Sequence, residues 1–394
     1  MVDFALSDEQ IGYVTWVREF LDAHVRPVAA EFDQMEDPDE RIPWSIIEKA
    51  HAEGLLRFGL PEEYGGTPID EVTFCVLLEE IGAADIGVAS IVAQYWNVIH
   101  LIHRLGNDDH RDRFIKPYLD NPRALFALAM TEPTSGIDSQ LPYDVPEAGP
   151  MLSAVPDGDD IVLNGVKSNI AISNVADVLV VWARTDKTVG LSKGMTMFVV
   201  PKDSPGFSVA QTYDLTGHRL APIAEVHFDD CRIPKENQLT AWNGAYAEMA
   251  RQTIGRHWVG ARFLGVGREA LAIAIERTKT RVQGGKPIIE HQMVARQIGE
   301  MAMTIEAARN VIWKAAWGAD NPDQADPIIM RMARVVGSEA AMKVALDAVR
   351  LFGASGIRAD VGIEKLLRDA VSGLAPAPAD VSYMVAGRSL AGLQ

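Results

Sequence analysis

The spacing of apolar residues changes twice along the chain, and this change divides the sequence into three segments. From about residue 7 to 120 apolar residues recur at helical spacing, and Ser7 with Gln10 forms a capping-box pattern that predicts a helix start. From about residue 124 to 235, short apolar runs are bounded by Gly, Pro, Asp and Asn, as in strands joined by turns. Long helical patterns return from about residue 240. The order helical, β, helical predicts an α+β protein that is mainly α.

Individual elements follow from the same patterns. Beyond the first helix, helices are predicted at 44–54, 70–82, 245–281, 291–318 and 328–352. Strands are predicted at 124–130, 161–163, 178–182, 195–200 and 225–228. The Pro/Ala stretch 375–379 cannot continue a helix and predicts an irregular loop.

The charge and the cysteines limit the kinds of partner and compartment. A net charge of −17 argues against nucleic acid or an anionic membrane surface as a partner, and an anionic ligand would need a local basic site. No run of 18 apolar residues occurs, so no membrane insertion is expected. Cys75 and Cys231 lie far apart, and the N-terminus has no leader pattern, so a cytoplasmic location is expected. Metal-ligand spacings such as CxxC or HExxH are absent from the sequence, so no metal site is expected.

Six groups of residues resemble the motifs of the acyl-CoA dehydrogenase family, in its order and spacing. They are 61–66 (PEEYGG) with 78–82 (LEEIG), 131–138 (TEPTSGID), 217–219 (GHR) with 232–237 (RIPKEN), Arg281 with 291–292 (HQ), 350–356 (RLFGASG), and 365–370 (KLLRDA). The resemblance implies an N-terminal helical domain (1–122), a central β-barrel-like domain (123–237) and a C-terminal four-helix-bundle domain (238–394). It also implies FAD, an acyl-CoA substrate, an electron acceptor such as an electron-transfer flavoprotein, and a tetramer.

The same resemblance places cofactor and substrate residues. FAD contacts are expected at Met130, Thr131, Gly136, Asn169, Ala171, Arg281, Gln292, Arg350, Gly353 and Ala354. Substrate contacts are expected at Arg256 and at Ile137, which replaces a serine of the family. Taken alone, Arg281 is better explained as a solvated residue at a helix end, and Arg256 could equally belong to an ion pair within a helical bundle.

Two of these flavin positions depart sharply from the family pattern, beyond the changes at Arg350 and Ala354, where the family usually has Gln and Gly. Asn169 and Ala171 replace a tryptophan that packs on the flavin and a threonine that donates to it. Loss of the aromatic contact removes about 0.5–1.5 kcal/mol of interaction energy between the protein and the flavin ring. Both changes predict weaker flavin binding and an altered flavin reactivity.

The catalytic base is the largest departure. The family carries its glutamate at the position of Ala377, or in a minority of members at the position of Gly255, so both positions lack a carboxylate. Removing a positioned base costs about 10²–10⁴ in rate. Asp380 follows three residues later and is a candidate substitute with a shorter side chain.

Three functions are compatible with this sequence. The first is an FAD-dependent acyl-CoA dehydrogenase with a non-standard or missing base. The second is a base-less subunit of a heteromeric acyl-CoA dehydrogenase that completes its partner's FAD site. The third is a flavin oxidase, monooxygenase or lyase built on the same fold.

Overall fold

The computed structural model describes residues 5–138, 144–251, 256–376 and 379–393, except for the side chains of 249–251 and 256. It confirms a mainly helical α+β fold. The first part of the chain forms α1 (Asp8–His24), α2 (Ala29–Gln34), α3 (Trp44–Ala52), α4 (Glu71–Ala84), α5 (Ile86–Leu105) and α6 (Asp108–Phe114). The predicted capping box at the start of α1 is confirmed, because Gln10 N donates to Ser7 Oγ and Ser7 N donates to Gln10 Oε1.

The middle of the chain forms one mixed sheet. Its strands are β1 (Phe126–Ala129), β2 (Ser153–Asp157), β3 (Asp160–Ala171), β4 (Val178–Arg184), β5 (Met195–Pro201), β6 (Phe207–Tyr213) and β7 (Ile223–Pro234), with the short helix α7 (Leu191–Gly194) before β5. The strands lie in the order β1-β4-β2-β3-β7-β6, and β5 also pairs with β4. β1 and β4 are parallel, whereas β2 with β3, β3 with β7 and β6 with β7 are antiparallel.

The sequence pattern missed two of these strands for a physical reason. Most residues of β6 are exposed, and only one residue of β2 is buried, so neither strand has the apolar run that marks a strand in sequence. By contrast β4 is buried at every position and β5 at all but its last, and both were predicted from their apolar runs.

The last part of the chain is helical again. It contains α8 (Ala245–Arg251), α9 (Arg256–Thr280), the small hairpin β8 (Val282–Gln283) and β9 (Lys286–Pro287), α10 (Gln292–Asp320), α11 (Pro327–Phe352), α12 (Ile363–Ser372) and α13 (Ala379–Leu390). The predicted helix 245–281 corresponds to α8 and α9, with 252–255 outside the described residues. The predicted irregular segment 375–379 reaches the first residue of α13, and 377–378 are outside the described residues.

The N-terminal helices and the C-terminal helices share one apolar core, while the sheet has a second one. Close contact between α4 and α9 depends on two glycines. A side chain at Gly82 would come within 2.0 Å of the Arg262 carbonyl oxygen, and one at Gly265 within 2.2 Å of the Glu79 carbonyl oxygen. The two helices can therefore approach backbone to backbone only because both positions lack a Cβ.

Candidate functional site

Two of the predicted flavin segments lie side by side in the sheet. Thr131 Oγ1 donates a hydrogen bond of 2.5 Å to the Ser168 carbonyl oxygen, and Ser168 N donates to the Thr131 carbonyl oxygen at 3.0 Å. Met130 and Thr131, which follow β1, are therefore held next to the end of β3, where Asn169 and Ala171 lie. The structure therefore places these four candidate residues close together.

A buried ion pair that the sequence patterns did not reveal fixes this junction. Lys167 is fully buried, and its Nζ donates to Glu132 Oε1 at 2.8 Å and to the Met130 carbonyl oxygen at 2.9 Å. The Glu132 carboxylate also accepts from the backbone N–H groups of Met151 and Leu152. Burial lowers the pKa of Lys167 to about 8, while Glu132 opposes that shift. The pair satisfies both buried charges and orients the Met130 carbonyl group.

The end of β3 is irregular at the two positions that depart from the family pattern. The pairing of β3 with β7 shifts register between Lys167 and Ile170, and Asn169 takes a left-handed conformation with φ of 57°. Asparagine is one of the few residues that tolerates this conformation, and its side chain is exposed here. Ala171 is partly buried and has no side-chain donor. This edge can therefore offer a ligand backbone groups and the Asn169 amide, but no hydroxyl at position 171.

The second group of candidate cofactor residues lies at one end of the C-terminal bundle. Helices α9 and α11 run parallel, since Gly260 packs on Ala333 and Gly267 packs on Ala341. The C-terminal ends of α9 and α11 and the N-terminal end of α10 therefore meet at the same end of the bundle. Arg277 and Phe352 mark this meeting point, with the guanidinium carbon 5.2 Å from the ring centre. Arg281, Gln292, Arg350, Gly353 and Ala354 all belong to these three helix ends.

This end of the bundle presents donors and positive charge to solvent. Arg281, Gln292, Gly353 and Ala354 are exposed, and Gly353 has a φ of 60° with open space around it. The N-terminus of α10 has no side-chain cap among the described residues, and the N–H groups of Val294 and Ala295 bind the His291 carbonyl oxygen, so the N–H groups of Gln292 and Met293 are left to meet an anion. Arg350 is also exposed, with its guanidinium 3.0 Å from Asp347. The chemistry of this donor set suits a phosphate or diphosphate group.

The substrate side is only partly within the described residues. Ile137 is partly buried, beside a turn in which Gly136 N and Ser135 Oγ donate to Asp138 Oδ2. Arg256 is the first residue of α9, but its side chain is not described. Ala377 and Gly255, the two family positions for the base, lie outside the described residues. Asp380 is exposed in the first turn of α13.

A buried polar network joins the three parts of the chain near His218, a residue of the GHR motif. His218 N donates to Asp369 Oδ1 at 2.8 Å, and its Nε2 lies 2.5 Å from Ser90 Oγ. Lys365 Nζ donates to Asp369 and to Asp85. Burial and the nearby cations lower the pKa of His218 to about 3, so its imidazole is neutral at pH 7. Only tertiary structure brings these residues together, and sequence spacing gives no sign of the network.

Within the described ranges, no cluster of three or more His, Cys, Asp or Glu side chains is arranged to hold a metal ion. In the same ranges, no helix combines the length and the apolar character that a membrane crossing requires.

Comparison with known proteins gives matches along almost the whole chain. Residues 7–121 match the acyl-CoA dehydrogenase N-terminal domain, residues 127–231 the middle domain and residues 243–373 the C-terminal domain of that family. The cyclohex-1-ene-1-carbonyl-CoA dehydrogenase of Geobacter metallireducens is 32% identical over 388 residues, which cover 98% of each protein.

Two solved structures are similar over their full length. Butyryl-CoA dehydrogenase from Megasphaera elsdenii is 29% identical with a TM-score of 0.89, covering 99% of this chain and 100% of that one. A glutaryl-CoA dehydrogenase in complex with glutaryl-CoA is 27% identical with a TM-score of 0.90, covering 100% of this chain and 98% of that one.

Proposed function

The chain belongs to the acyl-CoA dehydrogenase family, and from this premise we propose that it is an FAD-dependent oxidoreductase acting on an acyl-CoA thioester. The reaction is α,β-dehydrogenation of the acyl chain, with a base that is non-standard or missing from this chain. The observation that carries the proposal is similarity over 98% of both sequences to a named acyl-CoA dehydrogenase. The proposed domain limits are 1–122, 123–237 and 238–394.

The residues present fit FAD at two separate places. Met130, Thr131, Asn169 and Ala171 would hold the isoalloxazine ring where the ends of β1 and β3 meet. Arg281, Gln292, Arg350, Gly353 and Ala354 would hold the diphosphate and adenosine part of an FAD shared with a neighbouring subunit. Their exposure at the bundle end supports this second role, because such donors are available to a group brought by another chain. When bound, FAD supplies the acceptor for the hydride that leaves the β-carbon.

This chain would contribute substrate binding and electrostatics. Arg256 would give the acidic protein a local cation for the CoA moiety, and Ile137 would face the thioester where the family has a serine. Proton removal from the α-carbon would depend on a group other than residues 377 and 255. Asp380 is the nearest carboxylate in sequence to residue 377, and its exposed position in α13 requires the adjoining segment to bring it inward.

The assembly and the electron acceptor are part of the same proposal. We propose a tetramer, either of identical chains or with a related subunit, that passes electrons to an acceptor such as an electron-transfer flavoprotein. A cytoplasmic location accords with the two unpaired cysteines, Cys75 and Cys231, which are both buried.

A second candidate function is supported by one contrast within the site. The exposed donors that would reach a neighbour's cofactor are retained. In this chain's own pocket, by contrast, the family's base is replaced by Ala377, its hydroxyl donor by Ala171 and its aromatic ring by Asn169. That pattern suits a base-less subunit that completes the FAD site of a catalytic partner. The heteromer would then contain a related chain with an intact glutamate.

An anaerobic titration with a panel of acyl-CoA thioesters distinguishes the two candidates. Bleaching of the visible flavin absorbance by at least one thioester, with the chain purified alone, supports the dehydrogenase. Bleaching only after addition of a related chain that carries the glutamate supports the subunit. If acyl-CoA thioesters neither bind nor bleach the flavin in either preparation, both candidates are wrong.

A further inference from the structure

Arg262 is unlike the well-paired Arg41, Arg184 and Arg268, because its side chain has no hydrogen-bond partner among the described residues. The Nε of Arg277 is sealed from solvent in the same way. The guanidinium of Arg41 meets Asp214 and two carbonyl oxygens, that of Arg184 meets three carbonyl oxygens, and that of Arg268 meets Glu80. The Nε of Arg262 is sealed from solvent without a hydrogen-bond partner. Across the residues that the structure describes, no carboxylate or carbonyl group accepts a hydrogen bond from Arg262; its recorded contact is the Phe263 ring, 5.6 Å away.

The charges around Arg262 increase the cost of leaving it unpaired. Burial, and then the charge of Arg334, lower the pKa of Arg262 to about 10, so the residue is still a cation at neutral pH. His218 lies within the field of Arg262 and is neutral, so it supplies no counter-charge. A buried cation without a counter-charge is strongly unfavourable. Such a position is therefore suited to an anion that arrives with a ligand.

Arg262 is partly buried rather than sealed completely within the core. Its guanidinium is deep enough for burial to lower the pKa, yet the residue keeps accessible surface, as does Val259 one turn earlier. Its neighbour Phe263 packs with a ring-centre distance of 6.5 Å against His218, which in turn is bonded to Ser90 of α5. Arg262 thus lies where α9, α5 and the 217–219 segment converge.

Helical spacing relates this position to the acyl-CoA site. Val259 and Arg262 are spaced i and i+3, which places them on one face of α9. Gly255 is the alternative family position for the base, which acts at the α-carbon of the substrate. Arg262 follows Arg256, the first residue of α9, by six positions or about 9 Å of rise, so it lies farther along α9 than the end that position 255 precedes in the sequence.

We infer that Arg262 binds a carboxylate at the far end of the acyl chain, so that the substrates are mono-CoA thioesters of dicarboxylic acids. The inference rests on the proposed function, because it assigns the acyl group of that same site. A guanidinium is the appropriate partner, since its planar fork can bind both oxygens of a carboxylate. The carboxylate of the ligand would accept the hydrogen bonds for which the described residues offer Arg262 no acceptor.

Calorimetric titration under anaerobic conditions tests the inference through binding rather than turnover. Glutaryl-CoA and longer dicarboxylic acyl-CoA thioesters are compared with uncharged acyl-CoA thioesters of equal carbon number. The wild type is expected to bind one dicarboxylic thioester about ten- to a hundredfold more tightly than its uncharged counterpart. Arg262→Met should abolish that preference and leave the affinity for the uncharged thioester intact, whereas Arg262→Lys should retain part of it.

Ligand-free stability gives a second and independent test. Arg262→Met removes an unpaired buried cation and is expected to unfold at the same or a higher urea concentration than the wild type. The matched variant Arg268→Met, which breaks contacts with Glu80, should unfold at a lower concentration.

Three results would overturn the inference. They are equal affinities for charged and uncharged thioesters, a dicarboxylic preference that survives in Arg262→Met, and tighter binding only of thioesters with a neutral keto or hydroxyl end. If no acyl-CoA of any kind binds, the proposed function itself has failed, which is a different result from binding without preference.

Discussion

Lys365 Nζ lies 2.8 Å from Asp85 Oδ2, a contact between residues 280 positions apart in the sequence. The same ammonium group is 2.7 Å from Asp369 Oδ2, and both carboxylates are almost completely buried. Asp85 Oδ1 also caps α5 by accepting from the N–H groups of Gly87 and Val88. One cation is thus shared between two buried carboxylates and joins the N-terminal helices to the C-terminal bundle.

Replacing Lys365 with methionine is expected to lower the free energy of unfolding by about 3–5 kcal/mol, because two buried carboxylates lose their counter-charge. Although burial opposes it, Asp369 and Asp85 raise the pKa of Lys365 well above its usual value. The contribution of a cation with a raised pKa is fully present below its ordinary pKa and is lost only in strong alkali. The loss of unfolding free energy in Lys365→Met, measured by urea unfolding, should therefore be present throughout the range from about pH 6 to about pH 9.

The control for this change is Lys279→Met, which removes an exposed i,i+3 pair with Glu276. Its effect on the free energy of unfolding should stay within about 0.5 kcal/mol. Equal effects of the two substitutions would show that the Lys365 network does not hold the three parts of the chain together.

Glu80→Gln is expected to destabilise the protein by about 3 kcal/mol at pH 7, because Arg18 and Arg268 both bind this carboxylate. Burial alone would raise the pKa of Glu80, but the hydrogen bonds from Arg268 and Arg18 bring it down to about 2. A carboxylate whose pKa is lower in the folded than in the unfolded protein stabilises the fold at pH values above its unfolded pKa. This stabilisation is lost as the pH falls toward the folded pKa. The difference in unfolding free energy between wild type and Glu80→Gln should therefore become smaller as the pH is lowered from about 4.5 to about 2.

Thermal or urea unfolding across this pH range measures the gap directly. The matched variant is Glu276→Gln, which removes a carboxylate from an exposed ion pair and should change the free energy of unfolding only slightly. A Glu80→Gln gap that is constant down to about pH 2 would contradict the account of this cluster.

Arg281→Ala should weaken FAD binding about tenfold or more without lowering the unfolding temperature, because its exposed side chain is proposed to contact only the cofactor. FAD retention after gel filtration measures the effect. Arg296→Ala, which removes an equally exposed arginine from α10, is the control and should retain FAD. Unchanged FAD binding in Arg281→Ala would contradict its proposed place beside the diphosphate.

Ala377→Glu should raise the rate of acyl-CoA dehydrogenation about 10²–10⁴-fold if the chain binds flavin and substrate but lacks a base. Stopped-flow bleaching of the flavin measures the rate, and Ala377→Gln controls for side-chain size. Gly255→Glu tests the second family position in the same way. A flavin-bound and substrate-bound Ala377→Glu protein that shows no acceleration would contradict the view that the base is the missing part.

The sequence predicted the fold class because its signals are local and strong. The capping box at Ser7, the buried runs of β4 and β5 and the long apolar stripes of α9 to α11 need no tertiary information. The exposed strands β2 and β6 were missed because strand pairing, rather than burial, defines them. The approach of α4 to α9 through Gly82 and Gly265 also leaves no local signal, since a glycine within a helix predicts no particular neighbour.

The candidate site was predicted only where family motifs carry it. Thr131 lies beside the end of β3, and Arg281, Gln292 and Gly353 meet at one end of the bundle. Lys167 was missed because a lone lysine in an apolar strand gives no hint of a buried partner 35 positions earlier. Arg262 was missed for the opposite reason, since only the structure shows that its side chain has no hydrogen-bond partner among the described residues.

FAD stoichiometry of the chain purified alone, measured from the visible spectrum and after heat release, tests the central claim most directly. The account predicts a yellow protein with close to one FAD per chain, whose absorbance is bleached by an acyl-CoA thioester. A colourless chain that takes up no added FAD would contradict it, and flavin recovered only with a related partner chain would favour the subunit instead.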